Sequence, residues 1–275
     1  MLTTRTDGTL VQKLSATRAI MPLLMQTRTE SAVYFEQELD VTETMRFVDA
    51  WNEANPGNRI TLFHVYLWAV SNALHHRPRL NRFISGGRIY QRKGVHLAFA
   101  AKKKKLDEEA PLVTIKREVP EGASLADVAE LINADIKTGR SEQQRPEDRE
   151  LALTQRLPQF MVRLALWAMK LADRWNLLPS SVMAHDPCYS SIFIANLGSV
   201  GLDAAYHHLF EWGNCPFFAT LGRTRQVGNR VVATVKYTFD ERIDDGLSCA
   251  KSLELVKAMV EAPEQGAVMP IKRAA

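Results

Sequence analysis

Cysteine is scarce in this chain. Its 275 residues hold three, Cys188, Cys215 and Cys249, far apart and with no C-x-x-C pair. So sparse and odd a count indicates neither a disulfide framework nor a zinc knuckle, and it suits a reducing compartment. Long apolar runs are missing too. The stretch from Ile60 to Leu74 is broken by His64, Ser71 and Asn72 and is too short to span a bilayer. The first residues, with Arg5, Asp7, Lys13 and Arg18, lack the apolar segment of a secretory signal. Nor is there a strong excess of one charge. Lys+Arg 35 against Asp+Glu 31 leaves +4, without the concentrated basic face expected of a nucleic-acid binder. No H-E-x-x-H spacing offers a metal site. These absences predict a soluble, cytoplasmic protein without nucleic-acid, membrane or metal partners. The small positive excess leaves room for an anionic small molecule.

What is present is a core-forming composition, 46% hydrophobic. With no linker, repeat or low-complexity tract, it predicts one domain over residues 1–275. Residues 33–39 alternate in the strand period, Val33, Phe35 and Leu39 on one side. Asp40 and Glu43 open a helix that ends at Asn55-Pro56-Gly57, and residues 61–76 read as a helix apolar almost all round, hence buried. Two strands flank Lys93-Gly94, a charged loop follows from Lys102, and a strand resumes at Leu112–Ile115. Ser124 with Asp127 caps a helix through Ile136, and the polar segment 138–150 predicts a flexible loop. Residues 158–177 form a strong helix with a narrow polar stripe of Arg163, Lys170 and Arg174; Trp167 on it, like Trp68 in the earlier helix, reads as core. Strands at 189–196, 215–221 and 230–239 follow. Gly222 and Gly228 bracket the last turn as in an antiparallel hairpin, and a helix spans 247–261. Interleaved strands and helices indicate a mixed α/β sandwich.

The most informative stretch is Asp240–Gly246, D-E-R-I-D-D-G, where a strand ends and a helix begins. Taken alone it reads as a helix start favoured by negative charge, with Arg242 paired internally. It also resembles the D-H-R-x-x-D-G motif in the catalytic domain of dihydrolipoyl acyltransferases, the core subunits of 2-oxo acid dehydrogenase complexes. The H-x-x-x-D-G of chloramphenicol acetyltransferase is a more distant likeness. Further segments agree. Ile192–Gly198 with Gly201 is similar to the family's F-T-I-S-N-L-G…G, and Cys215–Gly222 stands where the family has P-x-x-A-I-L-x-V-G. Arg18–Ser31 with Glu38, Asp40 and Thr42 resembles R-x-x-I-A-x-x-M-x-x-S…E-x-D-x-T, and Ala69–Asn81 resembles K-A-x-A-x-A-L-x-x-x-P-x-L-N. The likenesses run in family order from residue 15 to 265.

The resemblance implies a chloramphenicol-acetyltransferase-like two-layer α/β sandwich with a mixed sheet. It also implies a homotrimer with the substrate channel between neighbouring subunits, and the cubic or dodecahedral cages that such trimers build in the core enzymes. Components of 2-oxo acid dehydrogenase complexes are the implied partners. The family's lipoyl and peripheral-subunit-binding domains have no counterpart in the sequence. In the family a histidine takes the proton of a coenzyme A or dihydrolipoyl thiol, and a serine hydroxyl steadies the oxyanion. Here the histidine position holds Glu241, and the serine position, beside Asn196, holds Ala195. Asp245 keeps the place of the orienting aspartate, with Arg18 as its expected partner, and Asp240, Arg242 and Gly246 keep the motif's frame. Lys102, Lys103 and Lys104 fall beside the substrate entrance, where they could attract coenzyme A phosphates, although a solvated loop is the plainer reading. His207 and His208 read as loop or interface residues, since adjacent side chains seldom face one pocket.

The exchanged groups have a calculable effect. Passing a thiol proton to histidine is uphill by about 2.7 kcal/mol, and to an ordinary glutamate by about 5.7 kcal/mol. A lost oxyanion donor adds about 2.7–4 kcal/mol, and because such terms add imperfectly the family reaction should slow on the order of 10³–10⁴. Two functions follow. One is acyl transfer from a coenzyme A thioester by altered chemistry, coenzyme A or acyl-coenzyme A being substrate rather than a covalently held cofactor. The other is a catalytically inactive trimeric scaffold, a pseudoenzyme of the same fold.

Overall fold

The computed structural model describes residues 5–102, 112–140 and 157–266. Chain order begins β1 (Gly8–Leu10), α1 (Ala16–Leu24), β2 (Ala32–Asp40), α2 (Thr42–Ala54) and α3 (Leu62–His76). It continues with β3 (Arg82–Ser85), β4 (Arg88–Arg92), β5 (Val95–Lys102), β6 (Leu112–Val119) and α4 (Leu125–Arg140). After the second gap come α5 (Gln159–Arg174), α6 (Ser180–His185), β7 (Ile192–Asn196), β8 (Phe217–Val227), β9 (Arg230–Asp240), α7 (Gly246–Glu261) and α8 (Pro263–Gly266). Six strands form a mixed sheet in the order β2-β9-β8-β7-β5-β6, in which β7 runs parallel to both β5 and β8. A small sheet, β1-β4-β3, stands apart, so the two strands flanking Lys93-Gly94 belong to different sheets.

Strand alternation gives the sheet two unlike faces. Val235, Tyr237 and Phe239 of β9, with Ile192 and Ile194 of β7, enter the main core beneath α3 and α7. Phe193 and Phe218 enter a second, smaller cluster on the opposite face, covered by residues 204–210. Helix α3 is apolar all round because it lies inside. Its buried residues run from Phe63 to Leu74, and Thr61 and His64 cap its start reciprocally.

Two expectations are corrected. Gly222 lies within β8, not in the hairpin turn, which falls at Gly228 (φ +58°). The ladder with β9 shifts register between Leu221 and Thr224, a bulge at Gly222. A Cβ on Gly222 would come within 2.5 Å of the Ala204 nitrogen, so glycine is needed there for close backbone approach. Trp68 is buried as expected, but Trp167 is not core: it is 61% exposed. None of the residues of α5 is buried. Leu157, Phe160, Leu164, Trp167 and Leu171, spaced by three and four, form one apolar stripe open to solvent.

Helix α1 was not evident from the sequence. Pro22 inside it interrupts the helical pattern, yet Ser15 caps its start by accepting from the Arg18 amide. Residues 138–140 close α4 instead of opening a loop; the remainder of the polar segment 138–150 lies outside the described residues. Lys102 is the last residue of β5, and Lys103 and Lys104 also lie outside the described residues, so the lysine reading has no structural account.

Candidate functional site: a pinned turn and a distant alanine

The D-E-R-I-D-D-G stretch is a turn between β9 and α7 held at nearly every position. Asp240 and Arg242 form a buried bidentate pair, Nε to Oδ1 at 2.8 Å and Nη2 to Oδ2 at 2.7 Å. Two parallel charge-assisted bonds fix orientation as well as distance. Arg242 also donates from Nη1 to the Met25 carbonyl just after α1. The plain expectation that Arg242 pairs internally is met.

Glu241 is clamped through its backbone. Its amide donates to the Ser31 carbonyl at 3.0 Å, and its carbonyl accepts from Arg18 Nη1 at 2.5 Å. Its half-buried carboxylate makes no hydrogen bond or ion pair with any described residue. The turn therefore presents a single carboxylate with its acceptor sites free, on a backbone fixed from both sides.

Arg18 was expected to pair with Asp245, and it does not. The guanidinium goes to the Glu241 carbonyl, while exposed Asp245 caps α7, Oδ1 accepting from the Ser248 amide at 2.8 Å. That backbone bond holds the Asp245 carboxyl below the usual carboxylate range, with smaller help from Arg18 and Arg79. The buried aspartate is instead Asp244, wholly inaccessible, with Oδ1 accepting from Arg79 Nη2 at 2.7 Å and from the Asp245 amide at 3.0 Å. Its Oδ2 has no partner. Arg82 stands close by, its pKa lowered by burial and by Arg79. Sequence reading missed Asp244 and Arg79, because Asp244 occupies an unspecified position of the motif. Gly246 opens α7 with free space where a Cβ would stand.

Ala195 lies elsewhere. It pairs with Thr220, which pairs with Lys236, whereas Glu241 follows the end of β9. Five residues along the strand and two strands across put the two positions roughly 19 Å apart, at about 3.3 Å per residue and 4.8 Å per strand. β7 and β9 run in opposite directions, so their C-terminal ends lie at opposite ends of the sheet. Within one chain these two positions share no cleft. Asn196 turns its side chain to its own loop, Oδ1 accepting from the Ser199 amide at 3.1 Å, and shapes the turn after β7. Among the described residues, no group of three or more His, Cys, Asp or Glu gathers as a metal site. No described helix is long and apolar enough to cross a membrane.

The comparisons with known proteins agree with this architecture. No curated protein sequence matches the chain. Among solved structures it is similar to the dihydrolipoamide acetyltransferase of Azotobacter vinelandii, at 15% identity over 95% of each chain with a TM-score of 0.59. A truncated catalytic core of the 2-oxoacid dehydrogenase multienzyme complex from Thermoplasma acidophilum is similar at 15% identity, covering 92% of this chain and 98% of that one, TM-score 0.58. A chloramphenicol acetyltransferase is similar at 14% identity with the same coverage, TM-score 0.57. These likenesses establish the fold as the two-layer acetyltransferase sandwich. Residues 7–151 match the family described as the catalytic domain of 2-oxoacid dehydrogenases acyltransferase, a stretch that carries α1 with Arg18, the Glu38–Thr42 segment and Ala69–Asn81 but stops short of the segments quoted from the last third of the sequence. The chain belongs to the acyltransferase catalytic-domain family of the 2-oxoacid dehydrogenases.

Proposed function

We propose that the protein transfers an acyl group from a coenzyme A thioester to a thiol acceptor, in an altered site assembled between copies of one core-like domain. The observation that carries this reading is the free Glu241 carboxylate on a turn otherwise fully pinned. A scaffold that had merely lost its histidine has no need to hold that position by Arg18, Ser31 and the buried Asp240–Arg242 pair. The Azotobacter vinelandii enzyme, whose catalytic mechanism was examined through a serine, a histidine and an asparagine, lends the spacing a functional sense. Glu241 and Asp245 occupy the corresponding motif positions.

The separation of Ala195 from Glu241 supports a site completed by a second copy, and the surface supports self-association. Phe160 (69% exposed), Leu164 (60%) and Trp167 lie on α5, and Ile20, Leu23 and Leu24 lie exposed on α1. With Leu157 and Leu171 they offer on the order of 700 Å² of apolar surface, taking about 150–200 Å² per large side chain. Apolar surface left open on this scale is the kind that contacts between copies cover. Trimers are the form this reading expects, with cages and other 2-oxo acid dehydrogenase components as further partners.

The test is a thiol-exchange assay with acetyl- and longer acyl-coenzyme A, run on the wild type beside Glu241→Ala. Turnover that the substitution abolishes supports the enzyme. Absence of both turnover and coenzyme A binding assigns the protein to the scaffold class. Light scattering checks the assembly: the wild type should exceed the 31.0 kDa of one chain, and Leu164→Glu with Trp167→Glu should reduce the mass.

A further inference from the structure

Glutamate is a poor proton acceptor for a thiol, so the altered site needs a better base. The described residues offer few. His64 is locked in the capping box of α3 and bonded to Asn133, and His75, at the end of α3 and bonded to Val119 of the main core, lies away from the Ala195 cluster. His96, at about 4, is too weak a base. His207 is different in three respects.

Its position is on the Ala195 face of the sheet. Its ring stacks on Phe218 at 3.8 Å and 10°, and Phe218 stacks on Phe193 at 5.0 Å and 11°. Ala195 packs into that same cluster of Phe193 and Phe218. The orientation is fixed from both sides, His208 stacking on the other face at 4.5 Å, and the Thr238 hydroxyl on β9 donates to the His207 carbonyl at 2.6 Å.

The tautomer is fixed as well. Nδ1 lies 2.7 Å from the His208 carbonyl oxygen. A carbonyl only accepts, so Nδ1 carries the proton and the neutral ring keeps its lone pair on Nε2. No described group takes that lone pair. Burial, together with the neighbouring His208, holds the imidazole below its ordinary 6.5, so the ring is neutral at pH 7. The groups that face it are Phe218 and Thr238 from the sheet and His208 and Phe210 from its own segment, and of these only His208 carries an ionisable side chain.

We propose that His207 Nε2 is the general base of this protein's acyl transfer, supplying from the Ala195 face the imidazole that the motif has exchanged for Glu241. The inference rests on the acyl-transfer reading above. In the step, the acceptor thiol gives its proton to Nε2, and its sulfur forms a bond to the thioester carbonyl carbon while the π electrons move to oxygen. When the tetrahedral adduct collapses, the original carbon–sulfur bond breaks and the departing coenzyme A sulfur recovers the proton from the imidazolium. No redox partner is involved.

The experiment compares the wild type, His207→Gln and His208→Gln as full-length chains in the thiol-exchange assay across pH 5–9. The expectation is a loss of about 10²–10⁴ in kcat for His207→Gln, together with disappearance of the wild-type rise in rate through the imidazole range. His208→Gln should keep that rise. Nitrogen NMR of the wild type should find Nε2 of His207 unprotonated at pH 7, a readout that needs no turnover. A wild type without turnover fails the acyl-transfer reading itself. An active wild type whose His207→Gln variant keeps its rate and pH profile, or a His207 protonated on Nε2, overturns the assignment of the base.

Discussion

The two ends of the central sheet, where Glu241 and Ala195 stand, are held in opposite ways. At the Glu241 end, charge does the holding: Asp240 with Arg242, Asp244 with Arg79, Arg18 on a carbonyl. At the Ala195 end, a ladder of rings and a methyl group lie under residues 204–210, and the carbonyl partners there are hydroxyls, Thr220 onto Ala205 and Thr238 onto His207. Single substitutions should therefore be felt differently at the two ends. Buried charge pairs tolerate removal of one partner poorly, since the other is left unpaired and desolvated. An apolar cluster places no such demand on a small side chain like that of Ala195. The Glu241 end is therefore the one whose stability depends on each charged partner.

Removing single groups sharpens the contrast. Arg242→Ala should be the most damaging, leaving Asp240 buried and unpaired at a cost of about 3–5 kcal/mol, measured by denaturant unfolding. Arg79→Ala should cost less, about 1–3 kcal/mol, because the Arg79 side chain is half-exposed whereas both partners of the Asp240–Arg242 pair are buried. Asp245→Ala removes a helix cap and should cost about 0.5–2 kcal/mol. Because the folded state lowers the Asp245 pKa, its contribution is present above the unfolded carboxylate range near pH 4 and fades as the pH falls through the folded value. Asp245→Asn should flatten that acid-side loss in a stability-versus-pH series. At the other end Ala195→Ser should change stability by within about 0.5 kcal/mol. A large loss there, or none at Arg242, would break the comparison.

The sequence made the central architecture legible where periodicity is strong. Phe63 to Leu74 fill one helix on all sides, which only a buried helix can satisfy, and β2 alternates over its length. The motif turn was found because its charge density is unusual at a strand exit. Asp244 was not: nothing local distinguishes a buried aspartate from its exposed neighbour Asp245, and its partner Arg79 is 165 residues away in the chain. Arg18 was selected correctly as a partner of the turn but with the wrong acceptor, since the family likeness points to a carboxylate and the geometry uses a carbonyl. Trp167 shows a further limit. Spacing reveals which residues share a helix face, but whether another element covers that face is decided by tertiary or quaternary packing. The separation of Ala195 from Glu241 depends on strand direction and register, which short motifs do not encode.

The central claim is that two copies build one working site from halves that a single copy keeps apart. Subunit complementation tests it most directly, using Glu241→Ala, which removes the motif half, and Ala195→Phe, which fills the sheet half. Each variant alone should be inactive in thiol exchange. Assemblies formed by unfolding and refolding the two together should regain roughly a quarter of wild-type activity, the fraction of sites that random mixing supplies with both halves intact in a cyclic assembly. Mixed assemblies of the wild-type mass that remain without activity, beside an active wild type, would contradict it.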